Sequence, residues 1–210
     1  YTGGLDTVKN EPNAKLTITG GDFTLEKGTS EGFTGVVFNY GDLTITGGTF
    51  IQSDKNAPYG QAQVIHTDKS GSSTPSTVIT GGTFKNLCTK STAWTVRATN
   101  AAAGATKVSG GTFNKKVTES YWAEGYGVYQ TASGEYTAMP ADKVARLGLY
   151  NYYTTLEEAI AAVGTGVSTS AVVYLLKNVT IDTQLVIDNS KAITLDLNGF
   201  TLTSTYAMGE

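Results

Sequence analysis

Residues 43–50 read Leu-Thr-Ile-Thr-Gly-Gly-Thr-Phe, and the chain repeats the phrase with small changes. LTITGGDF stands at 16–23, TVITGGTF at 77–84 and TKVSGGTF at 106–113. The copies recur at intervals of about 30 residues, inside the range that marks solenoids, propellers and arrays. Within a copy the strand alternates strictly. Leu16 and Ile18 point one way and Thr17 and Thr19 the other, and Leu43/Ile45 against Thr44/Thr46 repeat this. One face is therefore apolar and the other carries hydroxyls. The Gly pair lets the backbone turn without a Cβ clash. The Phe two positions later then turns back inward, so Phe23, Phe50, Phe84 and Phe113 are expected to stack if successive copies sit in register.

A short β-rich run comes before the later copies: Val36–Asn39, Gln63–His66 and Trp94–Arg97. A propeller blade needs four strands in about 40–45 residues, and each copy here has room for two or three. Asn-Gly hairpin signals are missing from the repeats. The arrangement that fits is a coil in which each copy makes one turn and strands of successive turns pair in parallel. That is a parallel β-helix with the apolar face inside and Thr outside. Inserts such as 53–61 and 67–76 would leave the coil as lateral loops.

Composition agrees. The chain has 210 residues, 40% hydrophobic, and only 16% charged against a usual share of about 25%. Thr is the commonest residue, Gly follows with 25, and Pro is scarce at 4, a balance that favours strands and turns. The net charge of −3, with Lys and Arg scattered, lacks the concentrated positive field that nucleic acid requires. No stretch approaches the roughly 18 apolar residues of a membrane span, so no membrane insertion is expected. A chain beginning at Tyr1 reads as a fragment or processed product.

Beyond the repeats, Tyr121, Trp122, Tyr126, Tyr129 and Tyr136 concentrate aromatic bulk in 121–138. This is the kind of cover that an open solenoid end needs. The reading divides the chain into repeat coils and closing segment over 1–138, a linker over 139–146, and a second segment over 147–210. The second segment contains the one convincing helix, near 155–163. Leu156, Ala159, Ile160 and Val163 follow helical spacing. Thr154 with Glu157 fits a capping box, and Gly164 is a natural stop. Strands are expected at 171–176, 179–181, 185–187 and 193–197.

ITGGTF repeats closing with VSGGTFNKKVTESYWAEGYGVYQTASGEYTA, followed by TLEEAIAAV…VVYLLKNVTID…LVIDNSKAITLDLNGFTLTS, resemble right-handed parallel β-helix domains. These are the pectate-lyase-like domains of gut-bacterial surface and adhesin-like proteins with GGTF repeats. The resemblance covers nearly the whole chain. It implies an all-β, right-handed parallel β-helix (solenoid) with one short capping α-helix, and an extracellular, cell-surface location. It also implies that a coil ends near 138 and another begins near 147, with the helix plugging its first turn. Two explanations follow. The chain is a piece of a tandem array beside neighbouring β-helix domains, or copies join one another head to tail into a filament.

Polysaccharide lyases and hydrolases share the fold, so chemistry must be sought in side chains. Glycoside hydrolysis needs two positioned carboxylates, yet the outward repeat positions carry Thr, with Asp22 the exception. Asp182, Asp188 and Asp196 sit where turns and strand caps are expected, with calcium as the alternative. Arg97 and Arg146 are the only arginines, and neither lies beside an acidic cluster in sequence. Cys88 stands alone and reads as a small buried residue. His66 is its one conceivable catalytic partner, and itself reads as an ordinary outward or edge residue. The Gly pairs lack the Lys-Ser/Thr of a phosphate loop.

Sugars can stack on exposed aromatic rings, which makes Tyr40, Tyr59, Trp94, Tyr121, Trp122 and Tyr126 candidates. Tyr59, Trp94 and Tyr126 are the expected ligand-binding residues, Tyr59 because the 56–60 loop should protrude. The sequence thus points to a non-enzymatic extracellular structural or adhesive module without cofactor or metal. Its expected partners are copies of itself, neighbouring β-helix domains, or a host or polysaccharide surface. The alternatives are a carbohydrate-active β-helix enzyme and a viral fibre or decoration protein.

Overall fold

The computed structural model describes residues 6–27, 33–57, 62–131, 133–148 and 151–206, with 167–169 described by backbone alone. The chain divides into two compact units, Tyr1–Met139 and Pro140–Glu210.

In the first unit each repeat contributes three strands. The first supplies β1 (Val8–Asn10), β2 (Lys15–Ile18) and β3 (Asp22–Leu25), and the second β4 (Thr34–Asn39), β5 (Asp42–Ile45) and β6 (Thr49–Gln52). The third supplies β7 (Ala62–Asp68), β8 (Ser76–Ile79) and β9 (Thr83–Asn86), and the fourth β10 (Val96–Thr99), β11 (Thr106–Val108) and β12 (Thr112–Phe113). Corresponding strands pair in parallel, so three sheets run β1-β4-β7-β10, β2-β5-β8-β11 and β3-β6-β9-β12. Leu16 lies beside Leu43 and Ile18 beside Ile45, while Phe23, Phe50, Phe84 and Phe113 form one row. The Phe rings stack with centroids 5.0, 5.0 and 4.8 Å apart and planes within 9° of parallel.

The Gly-Gly pair has two separate duties. Its second residue takes φ of +98, +103, +103 and +95° at Gly21, Gly48, Gly82 and Gly111, a region that side chains disfavour. Its first residue meets the repeat before it. A Cβ on Gly47, Gly81 or Gly110 would lie 2.4, 2.3 or 2.0 Å from the carbonyl oxygen of Thr19, Thr46 or Thr80. The same joint is hydrogen-bonded on both sides. Thr46 N donates to Ile18 O and Thr49 N to Gly21 O, with the equivalents in each later repeat at 2.8–2.9 Å.

The last repeat is closed by the residues after it. The Tyr121 hydroxyl accepts from Ala98 N of β10 at 2.9 Å. Trp122 bridges Val108 of β11, and Ala123 N donates to Val108 O. The Trp122 ring meets Phe113 edge-on at the end of the Phe row. Strands β13 (Tyr126–Gln130) and β14 (Tyr136–Pro140) then form a pair, and β14 lies antiparallel on β12.

In the second unit β15 (Ala145–Leu147) pairs antiparallel with β16 (Asn151–Tyr153). Helix α1 (Leu156–Ala161) follows, then β17 (Gly166–Leu175), β18 (Val179–Ile181), β19 (Lys191–Asp196) and β20 (Leu202–Ser204). One sheet runs β16-β15-β17-β19, and β18 pairs in parallel with β20. Leu156, Ala159 and Ile160 of α1 enter a core with Ala145, Val173 and Leu175. The described residues are thus mostly strand with one α-helix, and every joint between repeats is parallel.

Four local expectations need correction. The capping box belongs to Thr155 and Glu158, because Thr155 holds the extended backbone of the cap and its hydroxyl accepts from Glu158 N. Thr154 instead donates its hydroxyl to the Glu158 carboxylate, which holds that carboxyl below its ordinary pKa. Residues 185–187 form no strand: no neighbour pairs with them among the described residues, and Val186 is 69% exposed. The segment 139–146 is not all linker, since β14 runs through Pro140 and β15 begins at Ala145. Trp94 and Thr95 precede their strand, which starts at Val96.

The glycine roles separate cleanly by substitution. Gly47→Ala, Gly81→Ala and Gly110→Ala are each expected to cost at least about 2 kcal/mol by overpacking against backbone. Gly20→Ala should cost nothing measurable, because a Cβ there meets no atom within 4 Å. Phe84→Ala should cost about 3–5 kcal/mol. Denaturant midpoints of the purified variants check all five.

Candidate functional site

Strand β10 is the last of its sheet, and beside it opens a depression of about 200 Å³. Its lining includes Trp94, Arg97, Thr99, Thr118 and Tyr121, and no carboxylate. Trp94 is 40% exposed. Its backbone is held from two sides: Trp94 N donates to Gln63 Oε1 at 2.7 Å, and Asn86 Nδ2 donates to Trp94 O at 2.8 Å. Lys115 Nζ donates to the carbonyls of Cys88 and Ala93, fixing the rest of the loop, and burial lowers the pKa of that amine. Two buried amides of the third repeat and a half-buried lysine that follows the fourth thus hold the backbone that carries one exposed indole. Sequence reading found the indole and missed its holders, whose partners lie 8 to 31 residues away.

Arg97 points to the face opposite Val96. Its guanidinium lies 4.4 Å from the centre of the Phe33 ring, a cation–π contact that keeps the charge oriented. His66 is Arg97's neighbour across the β7–β10 joint. It occupies an outward position of its strand but is fully buried, with Phe33 edge-on at 5.0 Å and Phe38 at 4.5 Å. His66 Nε2 shares a 2.7 Å hydrogen bond with Thr99 Oγ1, and Nδ1 has no hydrogen-bond partner among the described residues. Burial is the main reason its pKa falls to about 4; Asp68 opposes the fall and Arg97 adds to it. A neutral, enclosed imidazole of this kind braces the strand that carries Arg97 and Thr99.

The other candidates lie elsewhere. Tyr126 is 37% exposed on β13 and does not line the depression. Tyr59 lies outside the described residues. Tyr40 packs on Phe38, and Trp122 closes the Phe row. Cys88 is buried, and its sulfur lies 3.9 Å from Ala57 O, while His66 bonds Thr99. Asp188 accepts from Ser190 N and from the Ser190 hydroxyl, which lowers its pKa, and Asp196 accepts from Asn198 N. Both therefore cap turns. Among the described residues no group of three or more His, Cys, Asp or Glu is placed to hold a metal ion.

No protein-family model matches the chain. No curated protein and no solved structure shows significant similarity to it either. The residues themselves carry the functional reading.

The neutral imidazole is the form compatible with the fold. Its contribution to stability is complete above the unfolded pKa of 6.5 and is lost as pH falls towards about 4. NMR titration of the single histidine should place its midpoint near pH 4, and a midpoint at or above 6.5 would contradict the enclosure described here.

Proposed function

We propose that the chain is a non-enzymatic extracellular structural and adhesive module. In this reading the first unit is a right-handed parallel β-helix, stiffened by its stacked repeats. Its work is presentation: the stack holds lateral surfaces in fixed positions against a polysaccharide or host surface. The observation that supports this most directly is the stack of repeats itself. Three parallel ladders in register enclose a continuous aromatic row, and such a stack is stable through neighbour contacts repeated along one axis.

The depression beside β10 supplies the adhesive element. An exposed indole offers a flat apolar face to a sugar ring, and Arg97 with the hydroxyls of Thr99 and Thr118 offers polar contacts at its margin. Hydrolysis would need paired carboxylates, and the lining provides none. Charge is low and dispersed, which suits a surface that meets neutral glycans better than polyanions.

Incubation with a panel of plant and host polysaccharides should release neither reducing ends nor unsaturated products. Retention of the chain in affinity electrophoresis through the best-retaining glycan should fall about five- to tenfold in Trp94→Ala, the equivalent of a lost stacking contact of about 1–1.5 kcal/mol. Release of product by the wild-type chain would overturn the non-enzymatic reading. Unchanged retention in Trp94→Ala would remove the indole from it.

A further inference from the structure

Two polar groups that line the depression are held by one buried cluster. Thr99 Oγ1 is tied to His66 Nε2 at 2.7 Å. Arg97 rests on the Phe33 ring at 4.4 Å, and the same ring meets His66 edge-on at 5.0 Å. The imidazole between them is fully buried. The Trp94 indole hangs on a different support, the backbone bonds from Gln63 and Asn86. The depression therefore has two halves: an apolar face that depends on amides, and a polar margin that depends on a histidine.

A neutral imidazole offers one donor and one acceptor, whereas an imidazolium offers two donors. Inside this enclosure the second donor meets no acceptor, since Nδ1 has no hydrogen-bond partner among the described residues. The surroundings do not favour charge either. β4 contributes Phe38, and the segment before it Phe33, both uncharged. β10 contributes Thr99 and Arg97, and the Arg97 charge repels a second cation. Asp68, on β7 itself, favours the charged ring, but its Oδ1 already accepts from Lys69 N and Asn100 Nδ2. Burial outweighs that attraction and keeps the ring neutral well below the usual histidine range.

Once charged, the ring needs water for its new donor, and a buried cation draws water in. Of the groups around His66, Phe38 is buried, whereas Phe33, Arg97 and Thr99 are partly exposed. Water therefore enters on the side of those three, which is also the side that carries the polar margin.

We propose that the depression is an acid-released site, in which charging His66 displaces Phe33, Arg97 and Thr99 and leaves Trp94 in place. The release rests on the glycan-binding reading above and adds its control. The margin is complete above pH 6.5 and is lost as pH falls through about 4. Coupling is reciprocal, so a glycan held by the margin also makes His66 harder to protonate.

NMR of the glycan-free chain from pH 7 to about pH 3 reads the displacement directly. The Arg97 Nε–H and Thr99 amide signals should move with the midpoint of the His66 ring, and the Trp94 indole N–H should not. Retention by a neutral galactan, mannan or glucan, whose charge does not change with pH, reads the release. It should fall at least about fivefold between pH 6 and about pH 3.5, and stay within about twofold in His66→Gln, which keeps a polar partner for Thr99 but takes up no proton. Saturation with the retaining polysaccharide should lower the His66 midpoint by about 0.7 pH, the same fivefold coupling seen from the other side. Arg97 and Thr99 signals that stay still through the His66 transition would overturn the proposal. So would an equal loss of retention in His66→Gln, or near-UV circular dichroism that collapses with the His66 midpoint, which would make the imidazole a brace of the whole stack. Absence of retention by all three polysaccharides at pH 7 would count against the glycan reading instead, and the NMR titration would still judge the coupling.

Discussion

Everything in the first unit depends on how closely one repeat can lie on the next. That distance is set where the carbonyl oxygens of Thr19, Thr46 and Thr80 reach into the space that a Cβ would take on Gly47, Gly81 and Gly110. With this approach allowed, the ladder bonds close at 2.8–2.9 Å and the Phe rings fall about 5 Å apart, close to the spacing of paired strands. A side chain in that space would hold the backbones apart, lengthen the bonds and loosen the aromatic row together. The glycine also guards register. A slip by one residue in one direction would set a Thr or Ser Cβ against the carbonyl, and a slip in either direction would turn the apolar side chains outward, a real hazard in a chain that repeats itself four times.

The stack creates its own need for closure. Parallel ladders end in unsatisfied backbone groups, and the chain meets them with three different devices at one end. A phenol hydroxyl replaces a strand on β10, a short bridge serves β11, and an antiparallel strand covers β12. The antiparallel strand matters because it breaks the pattern. A parallel repeat cannot continue beyond β14 as it continued from β9 to β12.

Much of this was legible in the sequence, for a physical reason. Alternation in Leu16-Thr17-Ile18-Thr19 and the recurring Phe are local signals that repeat, so their register could be read before any contact was known. The turn-capping positions of Asp188 and Asp196 were legible on similar grounds. What escaped was non-local. Gln63, Asn86 and Lys115 look like ordinary polar residues until the fold brings them to the backbone of the Trp94 loop. His66 alternates outward, yet it is enclosed because Phe33 and Phe38 cover that face. Leu185–Ile187 has the composition of a strand but no described strand pairs with it, which composition cannot report. The capping box shifted by one residue because Thr154 and Thr155 are adjacent and only backbone conformation decides between them.

The loops between repeats differ in length, and the ladders on either side of them do not notice. From β7 to β8 the chain detours through 69–75, while β4 passes to β5 across two residues, yet both arrive in the same sheet and register. Lengthening such a detour costs little entropy, roughly 0.6 kcal/mol for each doubling. The glycine joints therefore leave the lateral segments nearly free to vary in sequence and size. Framework and loops can therefore change at separate rates, and a loop can be lengthened or replaced without rebuilding the ladders beside it.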